Sequence, residues 1–261
     1  MIPANSLRAD AKWTGLCLQG VQQLKECLRI DDIFSIRRGL ATGANNFFIL
    51  NERQVAEYGL PLQFLKPILP SPRYLQSDEI SSDAVGNPMI EQRLFLLNCN
   101  LPASQLKNEY PKLWEYLETG IPEISERYLC RGRDPWYSQE QRLSAPLLCT
   151  YMGRGDTKSG RPFRFILNHS KAIAANVYLM LYPKPVLSRA LQQQPELLQQ
   201  IWKGLNALPN SALIDEGRVY GGGLWKMEPS ELANVPLDNV AAGISDIPAI
   251  SQPSQLLFGF S

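Results

Sequence analysis

Two blocks of this chain carry the side chains best suited to meeting phosphates and base edges. The first runs Ser35-Ile36-Arg37-Arg38-Gly39-Leu40-Ala41-Thr42-Gly43-Ala44-Asn45-Asn46-Phe47-Phe48-Ile49-Leu50. The second runs Arg218-Val219-Tyr220-Gly221-Gly222-Gly223-Leu224-Trp225-Lys226-Met227-Glu228-Pro229. Each joins a β-type apolar stretch to a small-residue loop carrying Arg, Asn or Lys. An arginine can bridge O6 and N7 of guanine, and an asparagine can bridge N6 and N7 of adenine. Arg37, Arg38, Thr42, Asn45 and Asn46 are therefore candidates for reading bases directly. The glycines Gly39, Gly43, Gly221, Gly222 and Gly223 allow close backbone approach to a partner, and Lys226 can reach a phosphate. The competing reading pairs Arg37 or Arg38 with a nearby carboxylate and leaves the asparagines holding turns.

More cations lie between the blocks. From Arg127 to Lys171 nine basic residues stand against three acidic ones, although the chain as a whole has a formal net charge of only +1. Such a local excess is either an electrostatic footprint for a polyanion or a solvated surface balanced by the acidic remainder. Arg131 and Arg133 flank Gly132, and in an extended chain both would share one face, which suits phosphate contact. Arg154, Lys158, Arg161 and Arg164 surround a glycine-containing loop and could clamp a phosphate backbone; a mobile solvated hairpin is the alternative. Trp136 and Tyr137 could stack on a displaced base or simply fill a core.

Catalytic chemistry is poorly supplied. His169 is the only histidine, and Cys17, Cys27, Cys99, Cys130 and Cys149 form no C-x-x-C pair. Neither a zinc site nor a nucleophilic triad is expected, and no metal ligands are assigned. Asp10-Ala11-Lys12 is a [D/E]-x-K triplet with no suitable acid before it, and Gly153–Lys158 fails the spacing of a phosphate loop. An odd thiol count without a signal peptide suits a reducing cytoplasm. The longest apolar stretch, Ile173–Tyr182, is interrupted by Asn176 and too short to span a bilayer, so no membrane partner is expected.

The candidate groups must be held by short strands. Ile33–Ile36, Phe47–Leu50, Arg93–Asn98, Leu147–Tyr151, Phe163–Leu167 and Asn176–Tyr182 are runs of aromatic and branched residues separated by turn chemistry. The pattern predicts one helix between Leu101 and Gly120, with Leu106, Leu113, Tyr116 and Leu117 on its apolar face, and a helical hairpin over Val186–Leu208. Short, irregularly spaced strands interrupted by helices imply an α+β domain. Residues 1–30 read as a linker and short helix, 31–236 as the domain, and 237–261 as a loosely ordered tail. The opening Met1–Ser6 would fit a start inside a longer gene.

Both blocks, together with Leu65–Tyr74 and the Arg131–Tyr137 run, resemble the C-terminal target-recognition domain of TaqI-type adenine-specific DNA methyltransferases, including restriction enzymes that fuse such a methyltransferase to a nuclease. The resemblance covers about residues 30–236. It implies a coiled stack of short strands, with an inserted helix and a C-terminal helical hairpin, that grips double-stranded DNA. It also implies a partner catalytic domain, in the same or a neighbouring polypeptide, that binds S-adenosylmethionine and flips out an adenine. That domain's signatures are missing here. No F-x-G-x-G loop occurs, Asn87-Pro88-Met89-Ile90 lacks the second proline and the aromatic of [D/N/S]-P-P-[Y/F/W], and Asp134-Pro135-Trp136-Tyr137 has Trp136 in the second-proline position. The chain therefore reads as a non-catalytic recognition module without a cofactor of its own. A docking subunit of a restriction-modification complex, or an enzyme with an unrecognised site, are the alternatives.

Overall fold

A computed structural model describes residues 28–154 and 161–237. In chain order these form α1 (Ile30–Ile33), β1 (Phe34–Arg38), α2 (Asn45–Phe48), β2 (Ile49–Asn51), α3 (Glu52–Glu57), β3 (Leu65–Ile68), β4 (Glu79–Ile80) and β5 (Leu94–Leu97). A helical stretch follows: α4 (Ala103–Glu109), α5 (Pro111–Glu118) and α6 (Tyr128–Arg131). Strands β6 (Leu147–Thr150), β7 (Met152–Arg154), β8 (Phe165–Asn168) and β9 (Tyr178–Pro183) then lead to α7 (Pro185–Gln193), α8 (Leu197–Ala207) and α9 (Asn210–Ile214). The described chain ends with β10 (Arg218–Tyr220), β11 (Leu224–Lys226) and α10 (Pro229–Ala233).

The central sheet has the order β1-β9-β6-β8-β4 and is antiparallel except where β4 meets β8. Its inner strands are apolar at nearly every position, which requires both faces to be covered, because successive side chains point to opposite sides. Cys149, Phe165, Leu167, Leu179 and Leu181 pack on one side with Leu187, Leu197, Ile201, Leu205 and Leu232 of the C-terminal helices. Leu148, Ile166, Tyr178 and Met180 pack on the other with Leu69, Leu75, Ala145 and Ala172. A second sheet, β2-β5-β3, shares a core with α4, α5 and Tyr137. The third is β10-β11-β7.

This is the α+β arrangement the sequence predicts: short strands in small sheets, with α7 and α8 as the C-terminal helical pair. In α8 the buried residues Leu197, Ile201 and Leu205 recur every four positions, the spacing of one helix face. Trp202 Nε1 ties that helix to the sheet by donating to the Phe165 carbonyl at 2.8 Å.

Three local expectations are corrected. The helix between Leu101 and Gly120 is two helices, because Pro111 has no N–H to continue the first and Tyr110 leaves helical space at φ −134, ψ 59. Phe47 and Phe48 belong to a helical turn, and the strand starts only at Ile49. The Arg131–Tyr137 run is not extended; Arg131 ends α6 and the chain then bends through turns. Most of the expected linker and tail lies outside the described residues. Leu28–Ile30 runs beside Val235–Leu237, with Ile30 N donating to Val235 O at 3.1 Å and Leu237 N to Leu28 O at 2.7 Å.

Candidate functional site

The loop after β1 is fixed from inside. Gly39 N donates to Tyr178 O and Leu40 N to Ala174 O, both at 2.9 Å. A Cβ on Gly39 would lie 2.1 Å from Ala175 O, so glycine serves packing within the chain here rather than approach by a partner. Gly43 has φ +84, a region that favours glycine. Thr42, expected among the base-reading side chains, is fully buried. Its hydroxyl accepts from Ala44 N at 3.1 Å and donates to Asn45 Oδ1 at 2.6 Å, so it shapes the loop and does not reach outward. Arg133, expected at a phosphate, instead donates to Thr42 O at 2.8 Å and Ala41 O at 2.9 Å, with Gln139 Oε1 at 3.2 Å. These bonds satisfy two loop carbonyls that no strand partner reaches.

This bracing leaves Asn45 and Asn46 exposed at the start of α2. They face a cleft of about 630 Å³ walled by Ala41–Phe47, Glu123, Ile124, Arg127, Leu129 and Asn176. Asn45 keeps its Nδ2 donors and a second Oδ1 lone pair beyond the Thr42 bond.

Arg37 and Arg38 part company, because neighbours on a strand point to opposite faces. Arg37 lines a separate pocket with Arg142 and Tyr182. Arg38 lies with its guanidinium carbon 4.0 Å from the centre of the Tyr151 ring, and its Nε donates to Asn176 O at 3.2 Å. The Tyr151 ring is shared: Lys226 Nζ is 5.3 Å from its centre and 5.8 Å from that of Tyr220. Arg38 thus joins the Asn45–Asn46 cleft, through Asn176, to the β10–β11 hairpin. The two blocks, some 180 positions apart in sequence, meet at this residue.

The hairpin itself is open. Gly222 and Gly223 have φ +73 and +69, and a Cβ on Gly221, Gly222 or Gly223 would meet nothing within 4 Å. Register puts Arg218, Tyr220, Leu224, Lys226, Met152 and Arg154 on one face of the third sheet. On the other face Trp225 packs against the core of the central sheet. Lys226 pairs with Glu228 at 2.7 Å, a bond that raises the lysine pKa, with a further contribution from Tyr151. Burial works to raise the Glu228 pKa, but hydrogen bonds from Lys226 and Tyr151, with Arg38 nearby, hold it below the usual carboxylate value. Arg218 pairs with Glu231, whose hydrogen bond raises the arginine pKa.

The remaining expectations divide. Arg131 and Arg154 are exposed. Arg164 is turned inward, with Nε 2.7 Å from Asp78 Oδ1 and NH1 donating to Pro72 O at 2.9 Å, while its amide donates to Thr150 Oγ1 at 3.0 Å. Arg161 NH1 donates to Asn206 O on α8. Lys158 lies outside the described residues. Tyr137 is buried, with its hydroxyl donating to Leu101 O at 2.6 Å, and half-buried Trp136 packs against Phe47, Phe48 and Tyr137. Both rings therefore fill the core rather than stand ready to stack on a base. Tyr151, Asn176 and Glu228 were not singled out from sequence; Tyr151 reads there as the last residue of a strand, and no spacing ties it to Arg38 or Lys226.

Among the described residues no helix is long and apolar enough to cross a membrane. The family described as "Type II methyltransferase M.Eco57I, C-terminal domain" matches residues 12–256. The type II methyltransferase M.XamI of Xanthomonas campestris pv. amaranthicola is 26% identical over 241 residues, spanning 92% of this chain and 41% of that protein. M.AccI of Acinetobacter calcoaceticus is 28% identical over 232 residues, spanning 87% of this chain and 40% of that protein. The chain thus spans about two-fifths of the length of these relatives. Looser structural likenesses are the type IIG restriction endonuclease BpuSI, at TM-score 0.43 and 16% identity over 86% of this chain and 27% of that one. The type IIL restriction-modification enzyme MmeI, solved in complex with DNA, gives 0.38 and 11% over 87% and 34%. On the family match across most of its length, the chain belongs to the C-terminal domains of M.Eco57I-type type II methyltransferases.

Proposed function

We propose that this domain recognises a specific site in double-stranded DNA and holds it while a separate catalytic domain, which carries S-adenosylmethionine, modifies an adenine. The catalytic groups and the cofactor are assigned to that other domain, since this chain supplies neither a cofactor loop nor an acceptor motif. The observation that carries the reading is the meeting of the two blocks at Arg38. On one side Asn45 and Asn46 stand exposed at a cleft. On the other, the open glycine hairpin presents a face with Arg154, Lys226 and Tyr220.

The asparagines and Arg38 have donors and acceptors for base edges, which specify sequence. Arg131, Arg154, Arg161 and Lys226 supply cations for phosphates, which position the duplex. Flipping a base costs a few kcal/mol, so a domain that holds the distorted duplex aids turnover without touching the methyl group. Tyr128 is 82% exposed and Leu129 40% exposed on α6, beside the cleft. These residues favour an additional contact with the catalytic domain.

The purified chain should bind duplex DNA weakly, with Kd on the order of 10⁻⁴–10⁻⁶ M at physiological salt, and the affinity should fall linearly on a log–log plot as salt rises. Binding that ignores salt, or none at low salt, would leave the protein-docking role as the domain's whole function. The chain alone should transfer no methyl group from S-adenosylmethionine to DNA; incorporation lost on changing Asp134 would overturn the assignment of catalysis elsewhere.

A further inference from the structure

On the face of the central sheet away from Arg38 lies a second pocket, of about 330 Å³, lined by Ser35, Arg37, Gln141, Arg142, Leu143 and Tyr182. Register pairs Ser35 with Tyr182 and Arg37 with Met180 across β1 and β9, which puts these side chains on one side. Arg142 is 15% exposed. Its NH2 donates to Glu140 Oε2 at 3.1 Å, and its Nε lies 3.1 Å from Oε1 without hydrogen-bond alignment. Its NH1 is buried and no aligned hydrogen bond reaches it, although the Tyr182 hydroxyl lies close enough to the guanidinium to be drawn down by it. Arg37 makes no hydrogen bond or ion pair with another described residue. Lys66 Nζ donates to Gln141 Oε1 at 2.6 Å and brings a third cation to the rim.

Among the described residues, the carboxylate paired with these cations is Glu140, itself 56% exposed. Burial raises the pKa of Tyr182 while Arg142 and Arg37 pull it down, so both guanidinium groups act on one hydroxyl. A buried guanidinium donor without an acceptor is costly. Its planar fork matches the oxygens of a tetrahedral oxyanion, and two such forks converging on one cavity match it better.

We infer that this pocket is a phosphate-binding site, with the oxyanion held between Arg37 and Arg142. The site is separate from the Asn45–Asn46 cleft and does not depend on base reading there. Its phosphate comes either from a DNA backbone passing the β1 edge or from free phosphate in solution.

The full chain is titrated with inorganic phosphate while the side-chain Nε–H resonances of Arg37 and Arg142 are followed by NMR, with sodium chloride at matched ionic strength as the control. Both resonances should shift saturably with phosphate and not with chloride, and exposed Arg37→Gln should weaken the response at Arg142. In parallel, the salt dependence of duplex binding is compared between the native chain and Arg37→Gln. A slope lowered by about 0.9 identifies a backbone phosphate as the occupant, whereas an unchanged slope beside a phosphate-specific shift identifies free phosphate. No phosphate-specific shift together with an unchanged slope overturns the site.

Discussion

The loop after β1 and the hairpin between β10 and β11 are built from the same residue types, glycines beside cations, yet they spend them differently. In the loop, Gly39 is pressed against the Ala175 carbonyl and Arg133 is drawn in to serve the carbonyls of Ala41 and Thr42. In the hairpin a Cβ on any of the three glycines would meet nothing within 4 Å, and two of them are required only by positive φ. A cation beside a glycine is therefore no guide to function until its hydrogen-bond acceptors are known. The rigid loop is suited to fixing Asn45 and Asn46 for readout, and the open hairpin to following a backbone.

The largest expected effect is on stability. Gly39→Ala would force a Cβ into the Ala175 carbonyl and should cost about 3 kcal/mol or more, at the upper end of overpacking penalties, with the strand end having to move. Gly222→Ala should cost about 1–2 kcal/mol for its left-handed backbone, and Gly221→Ala less than about 0.5 kcal/mol. Chemical denaturation of the three variants checks the order; equal losses at Gly39 and Gly221 would erase the contrast between the regions. Arg133→Ala comes next, at about 1.5–3 kcal/mol for losing charged hydrogen bonds to carbonyls. If the same variant instead left stability intact and lowered the salt slope of DNA binding, Arg133 would be a phosphate contact after all.

On the hairpin side, Arg154→Ala should leave stability within about 0.5 kcal/mol and flatten the salt slope by about 0.9 if it meets one phosphate. The smallest effect concerns pH. The folded-state pKa of Glu228 is depressed, so its contribution to stability is present above the unfolded value of 4.5 and is lost as pH falls through the lower folded value. Glu228→Gln should therefore lower Tm modestly at neutral pH, where the ionised carboxylate contributes, and flatten the acid limb, so that the two proteins converge at low pH. An acid limb that keeps its native shape in Glu228→Gln would remove the Lys226–Tyr151–Glu228 cluster from the account.

Much of this fold was legible because apolar periodicity is local. The runs Leu147–Tyr151, Phe163–Leu167 and Asn176–Tyr182 read as strands and overlap β6, β8 and β9, and the hairpin read over Val186–Leu208 corresponds to α7 and α8. What was not legible was decided by partners distant in sequence. Arg131 and Arg133 look alike beside Gly132, but only Arg133 finds carbonyls 91 and 92 residues away. Arg164 is withdrawn by Asp78, 86 residues away, and Tyr137 by Leu101. Arg37 and Arg38 are adjacent in sequence, but strand alternation sends them to different faces. Tyr151, the ring that joins the two blocks, carries no motif at all.

The most direct test of the account joins the chain to its catalytic domain and compares DNA binding on the proper site and on unrelated duplexes for the native protein, Asn45→Ala and Arg38→Ala. The account predicts a loss of about 1–3 kcal/mol on the proper site, with non-specific binding nearly intact. Variants that keep full site preference would contradict it and move recognition away from the loop that the structure braces so firmly.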